Sequence, residues 1–412
     1  MSGFYKNVMH LLKGNVFYHL VTIASLIFLA KLQSPKVLGE YALFFSSVTI
    51  LGSLFTGRLE LALVSLKEYS FYRIFVTGRM LSLGLCILFF LGYLFLISCG
   101  FLSFKIRYLL GVFATFFYAH SLLQMQLLNK TGAFNKVSRG KFILALLTAF
   151  SQILLSYYYK NSLVLCSGYL FALVFSSLYY YTFEYRNFKS LLYIPFGQFK
   201  KVLRACKDFV LINNTSSVIN LCASQGVVIV MNYFFGATCV GFFSVAQKTL
   251  NAPASLLSRA FSDVFFKEVS STKNKFNTNL EAFFIQNLKL LFLASLVILG
   301  VFFLVGKTVY VHLFGEDYIE SYSMALYIIY FFLVRFIVTS MNSIVISKGL
   351  LKIDFKFNIL LFVSQLLPLS IGGYLSYSIY VILPFMCVMG IMAYLYLFAH
   401  TYRLIKNNRS YE

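Results

Sequence analysis

A chain of 412 residues that is 60% hydrophobic and 12% charged, with a mean hydropathy of +0.80, carries more apolar surface than a soluble core of its size can bury. Apolar runs of about 20 residues recur along the whole length and are continuous rather than alternating. They define an all-α polytopic membrane protein and exclude a transmembrane β-barrel. The net charge of +22 would also suit a nucleic-acid binder, so the placement of the cations has to decide.

The hydrophobic pattern predicts about twelve helices: 14–32, 39–63, 79–99, 107–128, 140–158, 162–183, 208–232, 238–266, 283–305, 320–347, 357–375 and 379–401. The first follows Lys6 and Lys13 and precedes no small-x-small cleavage site, so it reads as a retained helix rather than a removed signal peptide. Of the 35 Lys and Arg residues, 24 fall in the N-terminus, the C-terminus and every second loop. Six fall in the alternate loops (Lys31, Lys36, Lys105, Arg107, Lys160 and Lys307) and five within predicted spans. That alternation places both termini in the cytoplasm and accounts for the basic balance without nucleic acid. Tyrosine clusters at helix ends, such as "SYYYK" (156–160), supply an aromatic belt in a chain without Trp.

The seven cysteines are scattered, mostly in apolar runs, and no His, Cys or carboxylate group has metal-ligand spacing. Neither a metal nor a cofactor is expected. The loop 184–207 is the longest and most basic, with six helices on each side. It divides the chain into an N-terminal half (1–183), a cytoplasmic linker (184–207) and a C-terminal half (208–412). At an offset near 202, "VLGEYALFF" (37–45) lies over "CVGFFSVAQ" (239–247), and Arg58 falls within one residue of Arg259. Two halves that both start inside make a parallel repeat about the membrane normal, enclosing a central cavity.

Charges within the spans suggest what such a cavity would hold. Lys248 lies about 15 Å into its helix at 1.5 Å per residue, and Arg335 is similarly deep. A lipid-facing cation at that depth costs about 2.5–3.5 kcal/mol on insertion scales, so a hydrated cavity is the cheaper surrounding. Ser244, Lys248, Asn251, Ser255 and Arg259 form a polar stripe, matched by Asn213, Ser217 and Asn220 on the preceding helix and by Arg335 and Asn342 on another. Interhelical hydrogen bonding is the alternative use of such stripes. Pro253 should kink its helix, as a gating hinge or a static bend. In "LFTGRLELALV" (54–64), Arg58 and Glu60 on one continuous helix would point about 200° apart and could not pair along one face. Arg58 then either snorkels or lines the inner mouth of the cavity. Buried carboxylates are scarce, and a cationic lumen suits an anionic substrate, since Arg forks onto phosphate oxygens.

Around "LGEYALFFSSVTILGSLFTGRLELALV" in helix 2 and "VGFFSVAQKTLNAPASLLSRAFSDVFF" in helix 8, the chain resembles the Wzx polysaccharide flippases of the multidrug/oligosaccharidyl-lipid/polysaccharide (MOP) exporter superfamily, which share the MATE-like fold. A proline common in the family after helix 8 is missing from "VFFKEVS". The resemblance implies alternating-access flipping of an undecaprenyl-diphosphate-linked oligosaccharide, an O-antigen or capsule repeat unit, across the bacterial inner membrane. It would give Arg58, Lys248, Arg259 and Arg335 the diphosphate and any acidic sugars. A polysaccharide polymerase and a chain-length regulator are the protein partners it suggests. Two rivals are a membrane polymerase or glycosyltransferase, disfavoured by the short outer loops, and a drug/cation antiporter of the same fold, disfavoured by the missing buried acids.

Overall fold

The computed structural model describes residues 2–65, 71–101, 103–188, 194–271, 280–341 and 351–407. They form α1 (Ser2–Leu32), α2 (Pro35–Phe55), α3 (Leu59–Ser65), α4 (Phe71–Ser98), α5 (Ile106–Lys130), α6 (Phe134–Tyr158), α7 (Ser162–Phe188) and α8 (Phe196–Ala205). These are followed by α9 (Lys207–Ser271), α10 (Leu280–Phe314), the 3-10 turn Glu316–Tyr318, α11 (Ile319–Met341), α12 (Leu351–Tyr374) and α13 (Ile379–Asn407). No strand occurs among the described residues.

Among the described residues ten stretches are long and apolar enough to cross a membrane, and Phe17–Leu32 is a shorter apolar helix. One of the ten, Thr215–Asn251, would be about 55 Å long if straight, nearly twice the hydrocarbon thickness. It breaks at Gly236 (φ 80°, ψ 171°) and therefore reads as two crossings, which with Phe17–Leu32 gives the twelve expected. That backbone conformation is essentially restricted to glycine. An added Cβ would meet nothing within 4 Å there, so strain rather than a clash sets the cost of substitution. Gly236→Val is expected to destabilise by about 1–3 kcal/mol, measured as a lowered thermal midpoint in detergent beside the parent protein.

The chain forms two compact units, Met1–Val218 and Ile219–Glu412. In the first, α1 lies on α6, α6 on α7 and α7 on α5, while α5 also packs against α2, α3 and α4. The small and apolar face Ala114, Ala119, Leu123 and Leu127 makes α5 the centre of this bundle. The segment expected as a linker is partly built into it. Phe199, Val202, Leu203 and Cys206 recur at three- and four-residue spacing and pack with Leu59, Ile74 and Leu123, leaving Lys200, Lys201 and Arg204 exposed. Burial pushes the Cys206 thiol above its usual range. Because α8 ties the chain to the first unit, the division falls inside α9 at 218/219, beyond the 207/208 boundary drawn from loop charge.

In the second unit α13 packs against α10, α11 and α12, and α10 against α11. Small residues let these helices approach closely: a Cβ on Gly373 would come within 2.4 Å of the Phe234 ring, and one on Gly390 within 2.6 Å of Phe331. Phe284, Leu291, Phe336 and Met341 form an apolar cluster joined by Ala254 and Phe398. The two most apolar spans, Phe71–Ser98 and Phe284–Phe314, are also the least buried, as lipid-facing helices should be.

Candidate functional site

Arg58 does not sit on a continuous helix. α2 ends at Phe55, Gly57 and Arg58 both take left-handed backbone (φ 57° and 56°), and α3 begins at Leu59. A Cβ on Gly57 would lie 2.9 Å from Leu81 Cδ2, so the turn has neither the conformation nor the room for a larger residue. The Arg58 amide donates to Thr56 Oγ1 at 3.2 Å, and the Thr56 hydroxyl donates to the Ser53 carbonyl at 2.8 Å. The break replaces the continuous helix expected over 39–63, and across it Glu60 is the partner of Arg58. Arg58 NH1 lies 3.3 Å from Glu60 Oε1, with the two side chains 16% and 3% exposed. Left-handed backbone at a non-glycine costs about 1–2 kcal/mol, which this ion pair helps to offset. Arg58 Nε and Glu60 Oε2 have no hydrogen-bond partner among the described residues. Within the first unit, Glu60 compensates the charge of Arg58.

The second unit holds a polar cavity of about 60 Å³ between α9, α11, α12 and α13. Arg335 lines it from α11, with its guanidinium 5.8 Å from the Phe332 ring. Asn220, Gln247, Gln365 and Tyr394 join it from the other helices. Asn220 Nδ2 donates to Asn358 Oδ1 at 2.7 Å, and Asn358 Nδ2 donates to Asp354 Oδ2 at 3.0 Å. Gln365 Nε2 donates to the Met386 carbonyl at 3.5 Å. One guanidinium, several amides and aromatic faces within one hydrogen-bonded frame can bind an anion together with hydroxyl groups.

The structure thus brings Arg335 and Asn220 together, and it adds Gln247, Gln365, Asn358 and Tyr394, which sequence reasoning passed over. Gln365 carried a usable signal, since it interrupts the apolar run "LLFVSQLLPL" (360–369). Lys248 is half-buried one residue beyond Gln247 and does not line this cavity. Ser244 is buried and its Oγ has no partner among the described residues, so it is a packing residue rather than part of a lumen wall. Ser217 and Asn251 are half-buried, Ser217 in the first unit and Asn251 in the second. The helix is continuous through Pro253, and the one break inside α9 is at Gly236. The side chains of Asn213, Pro253, Ser255 and Arg259, and the whole of Asn342, lie outside the described residues. Part of the α9 polar face serves interhelical bonding: Ser258 Oγ donates to the Phe336 carbonyl at 3.1 Å and lies 2.8 Å from Ser340 Oγ. His120 packs between Phe75 and Phe116 as a core residue.

The fold is the one seen in known MATE and MurJ structures. An inward-facing multidrug-resistance MATE transporter superposes with a TM-score of 0.67 at 14% identity, covering 96% of each chain. The inward closed form of the lipid II flippase MurJ gives 0.67 at 16% identity, covering 97% of this chain and 90% of that one. A MOP superfamily transporter from Pyrococcus furiosus, described as having a binding pocket of reverse polarity, gives 0.60 at 14% identity over 98% and 96%. A search of curated protein sequences found no match. The sequence matches the family described as "Polysaccharide biosynthesis protein" over residues 28–324, and the chain belongs to that family.

Proposed function

We propose that this protein flips an undecaprenyl-diphosphate-linked oligosaccharide, an O-antigen or capsule repeat unit, from the cytoplasmic to the periplasmic leaflet of the bacterial inner membrane. Membership of a polysaccharide biosynthesis family on a transporter fold supports movement of a glycan rather than its synthesis. The observation that carries the reading is the Arg335 cavity, whose cation, amides and aromatic faces match an anionic saccharide. One charge-assisted contact there is worth about 1.5–3 kcal/mol, enough to select the ligand while still permitting its release. The protein does no covalent chemistry on its cargo. A polysaccharide polymerase and a chain-length regulator would act on the delivered units.

Purified protein in proteoliposomes carrying a prenyl-diphosphate oligosaccharide on the inner leaflet tests the proposal. A membrane-impermeant glycosidase outside should cleave the glycan with time in the presence of the protein. Protection as complete as in protein-free vesicles would refute it.

A further inference from the structure

The first unit holds a second and larger cavity, about 290 Å³, between α2, α4 and α5. Its wall runs down α2 from Glu40 through Leu43, Ser47 and Leu51 to Phe55. The fifteen helical steps from Glu40 to Phe55 make the lined stretch of α2 about 22 Å long. Phe55 and Phe89 close the far end, their ring centroids 4.9 Å apart, and the lining below Glu40 is overwhelmingly apolar.

The near end is polar. Arg107 NH2 lies 2.7 Å from Glu40 Oε2 and donates to Ser162 Oγ at 2.8 Å, while that hydroxyl donates to Glu40 at 2.5 Å. Tyr93 on α4 closes the rim, its hydroxyl accepting from the Lys105 amide at 2.9 Å. Around this knot the chain sets three exposed lysines. Lys36 lies one turn before Glu40 on α2, Lys105 two residues before Arg107, and Lys160 two residues before Ser162. Arg107 lines the cavity and the three lysines lie within four residues of the knot in sequence, four cations against one carboxylate. Five of the six cations in the sparsely charged loops lie in this half, and four of those five are the ones near the knot.

We propose that this crevice seats the carrier lipid: a single prenyl chain lies in the shaft and its diphosphate sits among Arg107, Lys36, Lys105 and Lys160. This deepens the proposed function and rests on it, because the charged rim then faces the periplasm and the seat receives the carrier after translocation. One shaft accommodates one chain, which favours a prenyl lipid over a two-chain phospholipid. A cationic rim complements a multiply charged head. The shaft is lined by residues of the first unit alone.

The test uses the full chain in phosphatidylethanolamine nanodiscs with geranylgeranyl diphosphate bearing a benzophenone at the chain tip. Photolabel is expected on peptides containing Leu51 to Phe55 or Phe89, undiminished by excess phosphatidylglycerol. Ser47→Phe, which fills the shaft, should lower that label roughly tenfold or more. The surface variant Lys36→Gln/Lys105→Gln/Lys160→Gln leaves the packed interior untouched and should lower it roughly tenfold through the head. Label elsewhere, label displaced by phosphatidylglycerol, or label indifferent to both variants overturns the prenyl seat. The same purified proteins, reconstituted in proteoliposomes, are assayed for glycan flipping. Flipping without shaft label refutes the seat and leaves the flippase standing, whereas shaft label without flipping refutes the flippase and leaves a lipid site.

Discussion

Glu60→Ala is expected to destabilise the protein by about 3–5 kcal/mol, the cost of leaving a buried charge without its partner. Glu60 is 3% exposed, its Oε1 receives the Arg58 guanidinium at 3.3 Å, and Arg58 is itself held on left-handed backbone at the α2–α3 break. Removing the carboxylate leaves the guanidinium, itself only 16% exposed, without its ionic partner. The Arg58→Met/Glu60→Leu double variant should recover most of the loss, because apolar groups of similar volume replace a buried pair at little cost. Thermal denaturation of all variants in one detergent measures the cycle. Additive losses would mean that the two residues act independently and that the ion pair does not hold the break.

Arg335→Ala is expected to reduce glycan flipping by roughly 10- to 100-fold, which corresponds to one charge-assisted contact of about 1.5–3 kcal/mol. Arg335→Lys should recover only part of it, since an ammonium keeps the charge but not the planar fork. The Asn220–Asn358–Asp354 chain and Gln365 are tied to other partners, so the cavity should keep its frame when the guanidinium is removed. The reduction should therefore appear in transport at equal amounts of folded protein, quantified by size-exclusion chromatography beside the proteoliposome assay. Equal transport by Arg335→Ala and the parent would remove Arg335 from the substrate path.

Most of the fold is legible from hydrophobicity alone, because each crossing must be apolar over its whole length and each connection is short. Helix ends set by an exposed polar turn were placed to within a few residues, as at Tyr158 and Ser162. What misled was continuity. The run 39–63 is apolar enough to read as one helix, and only the dipeptide Gly57–Arg58 marks the break that turns Arg58 toward Glu60. Periodicity groups Arg335 and Asn220 with other polar residues on helix faces, yet it does not distinguish a face lining a cavity from one bonding to a neighbour. Ser258 shows the second use and Asn220 both, since it lines the cavity while bonding Asn358. The α8 helix was hidden by its lysines, which dominate composition while a four-residue apolar face does the docking.

The central claim is outward movement of a lipid-linked glycan, and leaflet-resolved measurement of that lipid tests it most directly. The protein replaces the native flippase in a flippase-null strain that makes the matching glycan, and lipid-linked oligosaccharide is quantified in each leaflet of spheroplasts. Parent protein and Arg335→Ala are compared at equal expression. The account predicts outward glycan with the parent and cytoplasmic retention with the variant. Glycan that reaches the outer leaflet without the protein, with only polymer length changing when the protein is present, would contradict it.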